Sequence, residues 1–425
     1  MHIGELIRHY RKEQGLSQEQ LSSGIVSISY LSKIENNKIS PDEMVVDLLL
    51  ERLNITRDSL QKFDNTFYQD QLYNVYECVI SGDFSKLSEV YHSFLNEIDN
   101  EKKIQHPNNI IHFLIISLRY YMHMDKMAES KSIVKELNSL SIKLPPKSEY
   151  ILYRSLALYH YHDQNYLVSI AFLEKAESKV YLETVKISIK DKADLYYQLS
   201  ILNSKKMRIY KSISYAENAL QIYQSIYDIE RSAECHIILG INYRKLKEFS
   251  QAEECYNSVF SICKINKNPY LEAMALQNLG NVNSDLGKPE KAINFYLRSL
   301  KKKEEYGEKS LNSYHSLVME YYHLNDYVLA KEWADKGLQK ALLFQNREYE
   351  IHFTIYIQLI TEASSFEEYV TDVGIVFFQN TGRKEYVIRY TELLAMYLYA
   401  KKKYKASSKY LIKIIELSKD TSLMQ

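Results

Sequence analysis

The sequence predicts an all-α protein with a small five-helix domain at the N-terminus and a long array of helical hairpins after it. Glycine and proline are scarce, at 11 and 6 of 425 residues, which argues against a β-rich fold full of tight turns. Helix-start signals cluster at the beginning of the chain, and a 40-residue pattern of small and aromatic residues recurs later. We therefore expect residues 1–63 to form the first domain, residues 64–70 a linker, and residues 71–425 an array of about nine hairpins.

Composition excludes several broad classes of protein. Lys and Arg together number 54, and so do Asp and Glu, so no overall basic field points to nucleic acid. Residues 1–62 hold eight basic and nine acidic residues, a net charge of 8 − 9 = −1. The four cysteines form no CxxC pair, which favours thiols in a reducing compartment over a disulfide framework or a zinc site. The N-terminus has no apolar signal region, so we expect a cytoplasmic protein. We also expect no metal and no cofactor.

The window Leu16–Pro41 predicts two short helices joined by a tight turn. Ser17 is a good N-cap, and Gln20 stands three residues later, which together make a capping box. The first helix should cover residues 18–23. Gly24 then supplies the turn, because glycine adopts a left-handed backbone at little cost.

The second helix of this window should cover residues 28–36. Leu31 and Ile34 lie three apart and should face inward, which leaves polar side chains on the outer surface. Such a helix fits the major groove of DNA with its N-terminal side chains at base edges. The residues expected to contact DNA are Gln18, Ser27, Ser29, Tyr30, Lys33, Asn36 and Lys38. The alternative interpretation is an amphipathic helical hairpin without a DNA role.

A helix before this window should cover residues 2–13. Its apolar residues lie on one face, and Arg8, Arg11 and Lys12 lie elsewhere. The basic trio is equally compatible with contacts to phosphate and with a solvated face.

Two further helices should complete the first domain. Ser40 is expected to cap the fourth helix, with Pro41 at its first position and Glu43 closing a second capping box. A short fifth helix should cover residues 57–63. The apolar residues expected to face inward from the fourth helix are Met44, Val45, Leu48, Leu49 and Leu53.

The window resembles the XRE-type (Cro/repressor-like) helix-turn-helix. The residues that match its pattern are Leu16, Ser17, Gln18, Leu21, Ser29, Leu31, Ser32, Ile34 and Glu35. The turn between the two helices is one residue shorter than in the commonest form, and Asn37 replaces the usual glycine after the second helix. Asparagine tolerates the left-handed conformation, so the second change is mild. The resemblance implies sequence-specific binding to double-stranded operator DNA.

The array is identified by an internal repeat. Leu239-Gly240 recurs as Leu279-Gly280, and the step is 279 − 239 = 40 residues. In each copy an alanine follows the glycine by twelve residues, and a tyrosine follows the alanine by four. This spacing resembles the tetratricopeptide repeat (TPR), in which small residues let two helices cross closely beside an aromatic ring. The resemblance implies a right-handed superhelix of paired helices with a concave channel.

The small position can be followed in both directions from this pair. It predicts nine crossings, at Leu87, Ser130, Ser169, Ser212, Ala252, Ala292, Ala330, Tyr369 and Ser407. The outer positions Leu87 and Tyr369 fit the pattern weakly. The steps of 38 to 43 residues exceed the usual TPR length of about 34, so the helices or loops should be longer.

The combination of the two parts resembles the RRNPP family of peptide-sensing regulators, which includes the PlcR, Rgg and NprR groups. The repeat count is most similar to that of the NprR group. The resemblance implies a homodimer whose array binds a short signalling peptide in a quorum-sensing circuit. A second interpretation is a Rap-like protein whose array binds, or dephosphorylates, a phosphorelay response regulator. A third is a scaffold protein with a vestigial DNA module.

A peptide should lie on the concave face, along the first helix of each hairpin. Asn and Gln side chains donate and accept at once, which suits the unpaired amides of an extended peptide, and arginine can clamp a carboxylate. The residues expected to bind peptide are Arg154, Tyr197, Asn242, Arg244, Gln277, Asn278, Asn281, Asn312 and His315, with Arg119 a further inward candidate. Any one of them could equally lie on a solvated helix face or in a contact between helices.

The remaining motifs indicate binding rather than catalysis. The sequence contains no nucleophile–base pair, glycine-rich phosphate loop or HExxH motif, so we do not expect an enzyme. The lysine runs at 301–303 and 401–403 are expected to be solvated faces.

Overall fold

A computed structural model describes residues 3–55, 65–101, 107–140, 144–182, 185–306 and 310–422. Within these ranges the regular structure is entirely helical, which confirms the predicted all-α class. The helices are α1 Ile3–Glu13, α2 Gln18–Ser22, α3 Ile28–Glu35, α4 Glu43–Arg52, α5 Asn65–Ser81, α6 Phe84–Glu101, α7 Pro107–His123, α8 Met127–Ser139, α9 Pro146–His162, α10 Tyr166–Val180, α11 Ile189–Lys205, α12 Ile209–Ser225, α13 Ile229–Lys245, α14 Phe249–Asn266, α15 Pro269–Asp285, α16 Pro289–Glu305, α17 Leu311–His323, α18 Tyr327–Leu343, α19 Arg347–Ile360, α20 with the successive segments Phe366–Glu368, Tyr369–Ile375 and Val376–Asn380, α21 Lys384–Ala400 and α22 Tyr404–Ser422.

Helices α1 to α4 enclose one small apolar core. Its buried members are Leu6, Ile7, Tyr10, Leu21, Leu31, Ile34, Val46, Leu49, Leu50 and Leu53. The predicted capping box is present, since Ser17 Oγ accepts from the Gln20 N–H at 3.1 Å and Gln20 Oε1 accepts from the Ser17 N–H at 2.7 Å. Gly24 and Asn37 have φ angles of 73° and 54°, so both predicted left-handed positions are confirmed.

Helix α4 begins later than predicted. Asp42 takes the extended backbone of an N-cap, with φ −63° and ψ 148°, and Glu43 is the first helical residue. Ser40 and Pro41 therefore precede the helix, and the capping box predicted there is wrong. The Asp42 side chain makes no capping hydrogen bond.

The inward face of α4 also differs from the prediction. Val46, Leu49 and Leu50 are buried, together with Leu53 just after the helix, and they follow the spacing of three and four residues that one helical face requires. Met44 and Leu48 lie four apart on another side, at 71% and 42% exposure, so their assignment to the core was wrong.

The linker predicted at residues 64–70 is wrong over most of its length, because residues 65–70 belong to the first turns of α5. The predicted fifth helix at residues 57–63 lies outside the described residues.

Nine helical hairpins follow in the described chain, from α5/α6 to α21/α22, in agreement with the predicted number. Ala252 and Ala292 are fully buried where their helices cross. A Cβ atom added to Gly280 would lie 2.3 Å from the Tyr296 ring, and a Cβ atom added to Gly240 would lie 2.6 Å from the Tyr256 ring. In both repeats the tyrosine ring therefore occupies the space that glycine leaves. This is the predicted repeat geometry.

Serine replaces alanine at several crossings and adds a hydrogen bond there. The Oγ atoms of Ser169, Ser212 and Ser407 donate, at 2.6 to 2.8 Å, to the carbonyl oxygen of the residue twelve positions earlier. The eighth hairpin departs from the pattern, because its second helix widens into a π-helix over Tyr369–Ile375. Tyr369 is only half-buried there, and it does not act as a small crossing residue.

The tip of each described hairpin contains a residue in the left-handed conformation. Two of these residues are glycines, and most of the others carry long side chains. The tip residues are Gly82, Asp125, Gln164, Met207, Lys247, Gly287, Asn325, Glu362 and Lys402. The left-handed residue ends the first helix and turns the chain into the second.

The chain forms two compact units, Met1–Leu195 and Tyr196–Gln425. None of the helices in the described ranges has the length and apolar character needed to cross a membrane.

Candidate nucleic-acid interface and ligand cavity

A buried ion pair holds α3 against α1. Arg11 Nε and Nη2 donate to the two carboxylate oxygens of Glu35 at 2.5 and 2.8 Å, and Arg11 Nη1 donates to the Leu16 carbonyl oxygen at 2.8 Å. Gln18 Nε2 donates to the same carboxylate at 2.7 Å. This bidentate geometry fixes the rotation of α3 relative to α1 and α2. Arg11 is therefore neither a phosphate contact nor part of a solvated face, and both predictions for it were wrong.

A close backbone approach also supports α3, and a side-chain contact ties α4 to the end of α2. A Cβ atom on Gly4 would lie 1.8 Å from the Ile34 carbonyl oxygen, so α1 and α3 touch through their main chains. Arg52 of α4 donates to the carbonyl oxygens of Leu21, at 3.2 Å, and of Ser23. These residues were missed in the sequence, because a glycine within a helix and an arginine at a helix end have many ordinary explanations.

Five of the seven predicted DNA contacts are exposed, and three of them, Ser29, Lys33 and Lys38, lie on α3 or in the turn after it. Lys33 and Lys38 bring positive charge to this part of a domain whose net charge is slightly negative. These two lysines can therefore attract DNA phosphates locally, although the domain as a whole has no excess of positive charge.

The other predicted DNA contacts also have roles within the domain. Ser27 Oγ caps α3 by accepting from the Tyr30 N–H at 3.2 Å, and the Tyr30 ring is half-buried against the core. Asn36 Nδ2 donates to the Ser32 carbonyl oxygen at 2.7 Å, and its Oδ1 accepts from Arg8 at 3.3 Å. The Gln18 amide nitrogen is bound to Glu35, as described above. These four side chains are thus oriented before any ligand arrives.

The second unit contains a cavity of about 790 Å³. Its walls come mainly from the first helices of the last five hairpins, which are α13, α15, α17, α19 and α21. Six of the nine residues predicted to bind peptide meet here, namely Arg244, Gln277, Asn278, Asn281, Asn312 and His315.

Two asparagines in the cavity are aligned by a chain of hydrogen bonds. The Tyr296 hydroxyl donates to Asn281 Oδ1 at 2.9 Å, Asn281 Nδ2 donates to Asn278 Oδ1 at 3.4 Å, and Asn278 Nδ2 donates to the Met274 carbonyl oxygen at 2.9 Å. Each carboxamide nitrogen carries two protons, so each can still donate one to a ligand. The repeat tyrosine beside Gly280 therefore also orients a side chain of the cavity.

Gln277 lines the cavity, but its polar atoms bridge helices. Its Nε2 donates to Ser316 Oγ at 3.0 Å, and its Oε1 accepts from Ser313 Oγ at 2.6 Å. Lys303 joins this network, with its Nζ 2.9 Å from Asn312 Oδ1 and 2.9 Å from Ser313 Oγ. Lys303 is only 7% exposed, so its assignment to a solvated face was wrong.

His315 lies at the cavity wall against a second histidine. The rings of His315 and His352 stack with their centroids 4.4 Å apart. Burial lowers the pKa of His352 to about 3. Burial, followed by the nearby charges of His352 and Arg389, holds the pKa of His315 well below its ordinary value. Both rings are therefore neutral near pH 7, and within the part of the chain that the structure describes the buried Nε2 atom of His315 has no hydrogen-bond partner.

Three predicted residues are not part of the cavity. Arg154 is buried in the first unit, 3.5 Å from Asp191 Oδ1. Asn242 is fully buried and donates to Ser212 Oγ at 2.7 Å, so it ties adjacent helices together. Tyr197 is half-buried with Arg231 over its ring, at 5.8 Å from the centroid. In each case the partner lies on a neighbouring hairpin. The burial of Arg154 and Asn242 contradicts their prediction as ligand contacts, whereas the role of the half-buried Tyr197 stays a prediction.

Arg119, the further candidate, is buried too. Its Nε donates to Ser155 Oγ at 2.8 Å, and its guanidinium lies over the Tyr76 ring, 5.2 Å from the centroid. It is therefore part of the packing of the first unit.

The cavity also contains residues that the sequence did not suggest. They are Tyr270, Met274, Lys303, Leu311, Ser316, Met319, Asn346, Tyr349, Glu385, Tyr386 and Arg389. A signal for Arg389 was present: it stands 18 residues before Ser407 (407 − 389), as Asn312 stands 18 before Ala330 (330 − 312). The spacing of 18 residues before the crossing residue that placed Asn312 in the cavity would therefore also have predicted Arg389, had it been applied to the last hairpin.

Comparison with known proteins agrees with this architecture. A helix-turn-helix family model matches residues 7–60, and a tetratricopeptide-repeat model matches residues 191–265. The transcriptional activator NprA of Geobacillus stearothermophilus is 32% identical over 399 residues, which span 92% of this chain and 97% of NprA. The chain belongs to the RRNPP family. The predicted resemblance is thus confirmed.

Two solved structures of the RRNPP family share the fold. A Rap protein complexed with competence and sporulation factor superimposes with a TM-score of 0.69 at 18% identity. The aligned region covers 85% of this chain and 100% of the Rap chain. NprR in complex with its cognate peptide NprX superimposes with a TM-score of 0.59 at 17% identity, and covers 83% of this chain and 98% of its own. At these identities the likeness concerns the fold alone.

Proposed function

We propose that this RRNPP protein is a cytoplasmic transcription regulator whose operator affinity is controlled by a short signalling peptide bound in the cavity of the second unit. The helix α3 reads base edges through Ser29 and Lys33, and Lys38 contacts phosphate. The protein acts as a homodimer, because helix-turn-helix modules read paired half-sites about 34–36 Å apart. Binding of peptide changes operator affinity by favouring one arrangement of the dimer over another.

The observation that carries this proposal is the convergence of polar residues in the cavity. Asn278 and Asn281 lie on α15 and Asn312 lies on α17, the first helices of two consecutive hairpins, both of which an extended peptide would cross. Their carboxamides can pair with main-chain N–H and C=O groups, which every peptide offers at regular intervals. NprA is named a transcriptional activator, and the solved NprR structure contains its peptide, so both halves of the proposal have support among relatives.

The test is a fluorescence-anisotropy titration of operator DNA taken from upstream of the protein's own gene. The ligand is a synthetic peptide that corresponds to a short secreted reading frame next to that gene. The peptide should change operator affinity by about 1–3 kcal/mol, and operator should change peptide affinity by the same factor.

The double variant Asn281→Ala, Arg244→Ala should bind operator normally without peptide and lose the response to peptide. Arg347→Ala is the matched control, since Arg347 is an exposed residue at the start of α19 outside the cavity. A double variant that responds as the parent does would place the peptide elsewhere. A parent whose operator affinity ignores the peptide would refute the regulatory coupling.

The alternative function is binding or dephosphorylation of a response regulator, which the similarity to Rap proteins favours. A phosphate-release assay with a phosphorylated response regulator tests it directly. Accelerated release by the parent would establish an activity that the operator titration cannot detect.

A further inference from the structure

The cations that line the cavity are not equivalent. Arg244 lies with its Nε 3.3 Å from Asp285 Oδ2, so its charge is balanced within the protein. Lys303 is buried among the oxygen atoms of Gln277, Asn312 and Ser313.

Arg389 differs from both. It is exposed at the cavity wall, and across the described ranges no carboxylate forms an ion pair with it. Its guanidinium contacts the thioether of Met319, which is a weak acceptor and carries no charge.

The nearby acidic residues do not neutralise Arg389, and among the described residues no ion pair joins it to Glu392, three residues later. Glu385, one helical turn earlier on α21, lines the same cavity, but its carboxylate lies 3.9 Å from Arg383 and is 63% exposed. Glu320 is buried on α17, and its Oε1 accepts from Ser284 Oγ at 2.5 Å. Arg389 therefore faces the cavity with its charge uncompensated by a contact.

A second group points to the same place. His315 is 4% exposed and lines the cavity, and its Nε2 atom has no hydrogen-bond partner among the described residues. A buried polar atom without a partner costs free energy, which a ligand that satisfies it would recover. A neutral imidazole can donate from Nε2 when that nitrogen carries the proton.

We propose that Arg389 and His315 form a carboxylate-binding subsite, so that the peptide recognised by this protein presents a carboxylate at the end of the cavity formed by α17 and α21. The guanidinium binds the two oxygens in parallel, and His315 donates to one of them. The asparagines of α15 hold the peptide main chain beside it. This inference rests on the proposed function and specifies the chemistry of its ligand.

The carboxylate has two sources, an Asp or Glu side chain and the C-terminus of the peptide. The probe is a random heptapeptide pool, prepared once as free acids and once as C-terminal amides. Full-length protein is incubated with each pool, and the retained peptides are identified by mass spectrometry after ultrafiltration.

Enrichment of Asp or Glu at one position in both pools identifies a side-chain carboxylate, and retention from the free-acid pool alone identifies the C-terminus. Arg389→Gln should reduce retention of the selected peptides by about tenfold or more, since a bidentate charged contact is lost. Arg389→Lys should recover part of it. Arg383→Gln, at the N-cap residue just before α21 and outside the cavity, should retain them as the parent does.

Two outcomes overturn the proposal, and they differ. Peptides retained from both pools without acidic enrichment, or retained equally by Arg389→Gln, would refute the carboxylate subsite and leave peptide control intact. Retention of no peptide from either pool would refute the proposed function and the subsite together.

Discussion

The hydroxyl of Tyr296 should matter for ligand binding, whereas that of its repeat equivalent should not. Tyr296 and Tyr256 stand at the same repeat position, 40 residues apart, and both rings fill the space over a glycine. The Tyr296 hydroxyl donates to Asn281 in the cavity, but the buried Tyr256 hydroxyl has no hydrogen-bond partner in the described ranges. Replacing each tyrosine by phenylalanine keeps the ring and removes only the hydroxyl.

The expected magnitudes follow from these contacts. A neutral hydrogen bond contributes about 0.5–1.5 kcal/mol, so Tyr296→Phe should weaken peptide binding by a factor of about 2 to 13 through the disoriented Asn281. Tyr256→Phe should leave peptide affinity unchanged, and its free energy of unfolding should stay equal or rise, because an unsatisfied buried hydroxyl disappears.

The assay is a peptide titration by calorimetry on both variants, with urea unfolding as the measure of stability. Equal peptide affinities for the two variants would show that the Tyr296–Asn281 contact does not orient the site. A loss of affinity in Tyr256→Phe would show that the effect reflects general packing.

Four further predictions follow from the other contacts. Lys33→Ala should weaken specific operator binding by about 1–3 kcal/mol with an unchanged helical signal, and unchanged affinity would remove Lys33 from the interface. Gly4→Ala should lower the melting temperature and operator affinity together, because its methyl group meets the Ile34 carbonyl oxygen; a melting temperature like the parent's would refute the close approach. Ala292→Leu should cost about 1–3 kcal/mol of stability by overpacking the crossing, and a parental melting curve would contradict the repeat register. The pKa of His352 is about 3 in the folded protein and 6.5 in the unfolded chain. The neutral His352 ring therefore favours the folded state above pH 6.5, and this contribution to stability is lost as the pH falls. Urea unfolding should show about 2 kcal/mol less stability near pH 5 than near pH 7.5, and a smaller loss in His352→Phe.

The features that local patterns determine were predictable from the sequence. The capping box at Ser17, the left-handed Asn37 and the alanine crossings each depend on residues within a few positions of one another. The repeat register extended this to the cavity, where six of the predicted residues lie on the wall, and their role in binding peptide stays a prediction. Periodicity indicates which helix face is turned inward, and for these six that was sufficient.

The errors arose where a distant partner decides the role of a side chain. Arg154 has the right register for a ligand contact, but Asp191 on another hairpin pairs with it in the interior. Arg11 looked like a surface cation until Glu35, 24 residues away, was found opposite. No spacing rule within one helix encodes such partners, so a charged residue on an inward face cannot be assigned to ligand or to packing from its position alone.

The left-handed residues at the hairpin tips imply that the array could be made more heat-resistant without altering either binding surface. The left-handed conformation costs a residue with a side chain about 1–2 kcal/mol. Replacing that residue by glycine removes this cost, but glycine also loses more conformational entropy on folding, which offsets part of the gain. Met207, Lys247 and Lys402 are all such residues, and Gly287 at an equivalent tip carries no such penalty. In a repeat protein the stabilities of the repeats are approximately additive, so several small gains at the tips would sum along the chain.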